Sequence, residues 1–123
     1  VVASLGKLGG EVPYTTFQTR KSYLEKNDDV IEKFNKAIQR GLDYTFSHND
    51  SEVADAIIEH FPDISKNDLT EVVKRYREND SWYRTTYITE EGLERVESIM
   101  ENSSKLDKKV PFDKIVNNKY SKK

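Results

Sequence analysis

The sequence predicts a mainly α-helical chain that begins with one or two β-strands. A β-branched run opens the chain at residues 1–5, and a second run rich in β-branched and aromatic residues follows at 12–19. Three of the five glycines fall between these runs, in residues 6–10, and predict a flexible crossing. Beyond residue 20, apolar side chains recur at spacings of three and four, which is the period of an amphipathic helix. Two lone strands cannot satisfy their own backbone groups, so we expect sheet partners upstream or in a second copy of the chain.

Five or six helices are predicted after the second strand. Arg20–Lys26 forms one or two helical turns, and the most regular helix spans roughly residues 29–46. The later helices are predicted to start near Ser51, Ser65, Thr89 and Pro111, because these residues suit N-terminal cap or first-turn positions. Phe61 before Pro62 and the segment 102–104 predict helix ends.

The composition limits the classes of function. The chain has 123 residues, 35% of them hydrophobic and 34% charged, with a net charge of −2. A near-neutral charge does not favour a nucleic-acid-binding protein. The absence of cysteine excludes disulfides and thiolate zinc sites. No apolar run approaches the length of a membrane span, and the basic stretch Lys105–Lys123 predicts a solvated, fraying tail.

No motif in the sequence predicts catalysis or a metal site. His48 and His60 are the only histidines and lack metal-ligand spacing. The paired acidic residues fall at predicted helix starts, where the helix dipole explains them. The glycines at 6–10 lack the order of a phosphate-binding loop. Aromatic and arginine side chains alternate over residues 75–87, and docking on neighbouring helices is favoured over base stacking because acidic residues intervene.

Several stretches, in order, resemble one family of transport proteins. Residues 9–44 (GGEVPYTTFQTRKSYLEKNDDVIEKFNKAIQRGLDY), 54–63 (ADAIIEHFPD), 72–82 (VVKRYRENDSW) and 106–123 (LDKKVPFDKIVNNKYSKK) carry the likeness. Together they resemble the nitrate, sulfonate, taurine and thiamine-pyrimidine class of substrate-binding proteins of ABC importers. Asp28 stands where that family usually has proline, and Ser104 where it often has glycine.

The resemblance implies a two-lobe α/β fold of the type II periplasmic-binding-protein kind, of which this chain is a C-terminal fragment. Residues 1–15 would be the last strand of the second lobe and the hinge crossing, and residues 16–123 the mostly helical end of the first lobe. The ligand would lie between the lobes. The ligand-binding residues expected from this segment are Gly10, Glu11, Pro13, Tyr14 and Thr15, although plain hinge structure explains them equally well.

The expected function is capture of a small molecule for import, without catalysis and without a cofactor or metal. The expected partners are that ligand and the membrane permease, and no nucleic acid. The protein is expected to be exported, as a cell-surface lipoprotein or in the periplasm, and its strand edges are expected to allow dimerisation or swapping. The alternative is a free-standing helical protein-interaction module, which requires no orphan strand edge.

Overall fold

A computed structural model describes residues 10–123 of the chain. The predicted strand at residues 1–5 lies outside the described residues. Within residues 10–123, six α-helices follow one another: α1 Lys21–Lys26, α2 Asp28–Ser47, α3 Asp50–Ile57, α4 Lys66–Glu78, α5 Glu90–Asn102 and α6 Phe112–Ile115, with a 3-10 turn at Ile58–His60 after α3. The predicted number of helices is confirmed.

The predicted α/β fold is wrong for residues 10–123, which contain helices and irregular segments but no strand. Residues 12–19, predicted as the second strand, run along the surface with one local backbone bond, from Tyr14 N to Val12 O at 2.9 Å. β-branched and aromatic residues favour strands because they fit a half-buried pleated surface. This segment has no neighbouring strand to provide that surface, and its residues 14–20 are exposed. The expected dimerisation through strand edges therefore has no basis in the described part of the chain.

Helix α2 is the longest element, and its predicted position is confirmed. Asp28 and Asp29 lie in its first turn, where the positive end of the helix dipole favours acidic residues. Asn27 separates α1 from α2 because its backbone leaves the helical region at φ −133°, while its side chain donates to Tyr23 O at 3.0 Å. The predicted break between the two helices is thus also confirmed.

The core lies between α3 and α4. Its buried apolar side chains are Val53 and Ala54 on α3 and Leu69 and Val73 on α4, with Ile57, Ile58 and Trp82 packed against them. Ser65 caps α4 as predicted, accepting from Asp68 N at 3.1 Å. The cap of α3 is Asn49 and not the predicted Ser51. Asn49 and Glu52 bond reciprocally to each other's backbone amides and form a capping box.

Arg77 of α4 joins the core pair to α2. Its Nη2 donates to the carbonyl oxygens of Thr45 and His48, at 2.6 Å for His48, where α2 ends. Its Nε lies 3.2 Å from an Asp50 carboxylate oxygen at the start of α3. One arginine thus binds the last carbonyls of one helix and the first turn of the next.

The C-terminal segment is docked on the molecule, and the prediction of a fraying tail is wrong. We call residues 116–123 the tail. The Asn118 side chain accepts from Ile88 N at 3.1 Å and donates to Ile88 O at 2.8 Å, which pairs it with the chain before α5. Asn35 of α2 donates to Tyr120 O at 2.7 Å, and Asp28 binds both Lys119 Nζ, at 2.7 Å, and the Tyr120 hydroxyl. These contacts join residues far apart in sequence, so no local pattern predicts them.

Candidate functional site

The predicted ligand-binding residues lie together on a segment that crosses the first half of α5. We call residues 10–15 the crossing segment. Arg95 of α5 binds this segment. Its Nη1 donates to Glu11 O, and its Nη2 donates to the Glu91 carboxylate at 2.8 Å. Arg95 therefore joins the crossing segment to the helix through two hydrogen bonds from one guanidinium.

The backbone of the crossing segment approaches α5 closely at two glycines. Gly10 has φ +74°, a conformation that costs other residues energy, and a Cβ there would lie 3.2 Å from the Arg95 guanidinium. Gly92 of α5 is buried, and a Cβ there would lie 2.9 Å from Thr89 Oγ1 and 3.2 Å from Pro13 Cδ. The absence of side chains at these two positions allows the contact between segment and helix.

Tyr83 is electrostatically coupled to the same group of residues. Burial raises the pKa of the Tyr83 phenol, and the Glu11 carboxylate raises it further, while the Arg95 charge acts in the opposite direction. The Tyr83 phenol therefore ionises less readily than a free tyrosine side chain, and Glu11 and Arg95 have opposite effects on its pKa.

The five predicted residues thus differ in what they offer a ligand. The Glu11 carbonyl already accepts from Arg95, and Pro13 packs towards Gly92. Tyr14 is 91% exposed and Thr15 is also exposed, so both hydroxyls are accessible to solvent. The two cavities described for residues 10–123 do not include any of the five.

Arg95, Tyr83 and Gly92 were not identified from the sequence as part of this site. Arg95 follows Glu91 by four residues, and that spacing predicts only a helix-surface ion pair. Its contact with Glu11 spans 84 positions in the sequence. The aromatic run containing Tyr83 was predicted to dock on neighbouring helices, which agrees with its partial burial.

Two cavities lie elsewhere on the molecule. One of about 240 Å³ is formed by α5 and the segment before α6, and its side chains include Glu90, Glu94, Glu97 and Lys109. Glu97 is buried there and accepts from Val110 N at 2.8 Å. The second, of about 350 Å³, lies between α2 and the tail, and its lining includes three basic side chains.

Within residues 10–123, no cluster of histidine and acidic side chains has the arrangement needed to hold a metal ion. In the same part of the chain, no helix combines the length and the apolar character needed to cross a membrane.

A relative was found by sequence comparison. The chain is 35% identical, over all 123 residues, to a Bacillus subtilis (strain 168) protein named "Putative binding protein YtlA". The chain spans 37% of the length of that protein. No protein-family profile matches the chain, and no solved structure matches it. The similarity therefore extends along the whole of this chain but over little more than a third of its relative.

Proposed function

We propose that this chain contributes the helical part of the substrate-binding component of an ABC importer. It captures a small molecule and presents it to the membrane permease, and it makes or breaks no covalent bond. The observation that carries the proposal is the 35% identity over the full chain with a protein named as a binding protein. The order of the motifs in residues 9–44, 54–63 and 106–123 supports the transporter class.

The ligand contacts proposed for this chain are on the crossing segment. Its backbone is fixed on α5 by Arg95 and by the close approach at Gly92, so little conformational entropy is lost there on binding. The exposed hydroxyls of Tyr14 and Thr15 can donate to and accept from a polar group. The remaining contacts to the ligand come from protein that pairs with this helical part. A substrate-binding component of an importer works outside the cytoplasm, so the same proposal implies that location.

A thermal-shift screen of the chain against small anions and heterocycles tests ligand binding. A ligand that binds only the native state raises Tm, on the order of 10 °C at a hundredfold excess over Kd for a domain of this size. Tyr14→Phe and Thr15→Val remove one hydroxyl each and should reduce the shift. Tyr23→Phe on α1 removes a half-exposed tyrosine hydroxyl away from the crossing segment and should leave the shift unchanged.

Crosslinking in membranes tests the permease. The chain, carrying a photoreactive group at an exposed position outside the crossing segment such as Ile99, should crosslink to an integral-membrane transport subunit, identified by mass spectrometry, and more strongly with ligand present. Ligand binding without any such crosslink would contradict the proposed role in an ABC importer, while the proposed binding role would stand. Absence of any ligand-dependent shift, both in this chain and in the full-length protein that supplies the remaining contacts, would contradict the binding role itself.

A helical protein-interaction module is the second candidate, and the exposed aromatic side chains favour it. Phe17 is 73% exposed and Phe34 of α2 44% exposed, with their rings edge to face at 4.9 Å between centroids. Residues 10–123 also lack strand edges, as this alternative requires. Light scattering after gel filtration should then give a dimer that Phe17→Ser converts to monomer, whereas Ile99→Ser on α5, also exposed, has no effect. A monomer at all concentrations would argue against self-association through these rings.

A further inference from the structure

The cavity between α2 and the tail combines a suitable volume with a concentration of positive charge. At about 350 Å³ it falls within the range of small-molecule sites, roughly 300–1,000 Å³, whereas the acidic cavity beside α5 falls below it. Its lining side chains are Asn35, Lys36, Gln39, Arg40, Tyr120 and Lys122. We infer that this cavity is a binding site for a small oxyanion, such as a carboxylate, sulfate or phosphate group.

The basic side chains differ in how far they are already neutralised. Lys36 lies 2.6 Å from a carboxylate oxygen of Glu32, one turn earlier on α2. Arg40 and Lys122 form no ion pair within residues 10–123. Two positive charges therefore face the cavity without a protein counter-ion in the described part of the chain, and an anion from solution would supply one.

The neutral side chains of the cavity position its walls. Asn35 donates to Tyr120 O at 2.7 Å and so fixes the tail against α2. Gln39 donates to Asp43 and to Arg84 O, both at 2.9 Å, and accepts from Thr86 N at 3.2 Å. Because these amides are engaged with protein, the basic groups provide the contacts that remain for a ligand.

Arg40 is the residue expected to orient the anion. A guanidinium keeps its charge at every physiological pH and presents parallel N–H groups that match two oxygens of an oxyanion. Lys122 and Lys36 act as more flexible point charges around it. The tail contributes Tyr120 and Lys122, so the cavity exists in this form only while the tail is docked, and anion binding is linked to docking.

Phosphate and sulfate titrations of the full chain test this site by NMR, at constant ionic strength set with sodium chloride. The expected result is saturable shifts confined to α2 residues 35–40 and to the tail. Arg40→Gln should weaken the affinity by about fivefold or more, since it removes one exposed charge-assisted contact. Arg40 and Lys122 are both exposed, so their substitution should leave the circular dichroism spectrum unchanged.

Lys33→Gln is the matched control. It removes the same unit of charge from the same helix, but Lys33 pairs with Asp29 at 3.3 Å and does not line the cavity. The affinity of the Lys33→Gln variant for phosphate and sulfate should remain close to that of the parent chain. Linear, non-saturating shifts with both anions, or equal losses in Arg40→Gln and Lys33→Gln, would overturn the site and indicate only diffuse charge. The experiment involves neither the crossing segment nor a permease, so its result is independent of the proposed transport function.

Discussion

Two glycines in helices have opposite surroundings, and this difference can be measured. Gly41 lies on α2 with no atom within 4 Å of the place where a Cβ would stand, whereas Gly92 on α5 is buried beneath Pro13. A methyl group at Gly41 fills open solvent and removes only the entropic cost of glycine in a helix. A methyl group at Gly92 has to displace the cap of α5 or the crossing segment.

We therefore predict that Gly92→Ala lowers the free energy of unfolding by about 1–2 kcal/mol, as expected for a small overpacking substitution beside a helix cap. Gly41→Ala should raise it by about 0.5–1 kcal/mol. Urea denaturation of both variants measures the two changes. If Gly92→Ala were as stabilising as Gly41→Ala, the close contact between Pro13 and α5 would not exist in solution.

Cap residues show what single positions reveal before a structure is known. Ser65 is predicted as a cap because Asp68 follows it as in a capping box, and Thr89 because acidic residues follow it in the first turn. Both side chains accept from the backbone three residues later. Ser51 is the predicted cap of α3, but Asn49, which is also a good cap residue, holds that position. What distinguishes them is Glu52, which returns a bond to Asn49 N at 2.8 Å. The reciprocal pair was therefore present in the sequence, two residues before the predicted cap.

At the scale of elements, the helices were predictable because their periodicity is local. The strand predicted at residues 12–19 is absent because a strand depends on contacts that are not local. The spacing from Val30 to Leu42 determines α2 without reference to the rest of the chain. The run at 12–19 has strand-like composition, but a strand also needs a partner at hydrogen-bonding distance. Pro13 lacks a backbone N–H, and the segment instead packs on α5 through Arg95 and Gly92. The sequence thus predicts residues 10–15 as one group but does not predict their support by α5, and the ligand-binding role of this group stays a prediction.

The α3–α4 pair provides a second prediction, because two adjacent valines of α4 have different environments. Val73 is 1% exposed in the core, and Val72 is 41% exposed. Val73→Ala removes buried methyl groups and leaves a cavity, so it should lower the free energy of unfolding by about 2 kcal/mol. Val72→Ala should change it by less than about 0.5 kcal/mol.

Chemical denaturation followed by Trp82 fluorescence measures both valine variants, since Trp82 packs against this core. The described core contains four buried apolar side chains, so a loss of about 2 kcal/mol is a large part of a typical domain stability of 5–15 kcal/mol. Equal effects of the two substitutions would indicate that α4 presents a different face to α3 in solution.

At the scale of the whole molecule, the tail is the element that joins the first helical turn of α2 to the end of the chain. Asp28 accepts from both Lys119 and Tyr120, and Asn118 pairs with Ile88 across 30 positions. Asp28 is where the sequence departs from the proline usual in the resembling family. As a cap or turn position, it is expected to touch local stability more than function. Its contacts 91 and 92 residues away give it a tertiary role that no local pattern indicates.

Docking of the tail should depend on pH. The hydrogen bonds from Lys119 and from Tyr120 lower the pKa of Asp28, and the bond to Asp28 raises the pKa of Lys119 and of Tyr120. A lowered carboxyl pKa stabilises docking above the ordinary aspartate value, near 3.9, and this contribution is lost as the pH falls through the lowered value. Raised lysine and tyrosine pKa values stabilise docking below their ordinary values, near 10, and this contribution is lost as the pH rises through the raised values. Docking is therefore expected to be strongest between about pH 4 and pH 10.

Amide hydrogen exchange and the Tyr120 ring resonances, followed from pH 7 to pH 3, measure this dependence. Protection of the tail should fall in acid more than that of α2, because only the neutral contacts described for Asn118, Asn35 and Ser121 then hold it. Asp28→Asn keeps the shape but removes the charge, so its tail should be partly released already at pH 7 and show little further change in acid. Asp29→Asn removes a neighbouring charge whose one ion pair within residues 10–123 is with Lys33, and this variant should behave as the parent chain does. If the Asp28→Asn tail stayed fully protected across this range, the ion pair would be incidental and the neutral amide contacts would account for docking. Such a result would also mean that the oxyanion cavity keeps its shape without Asp28.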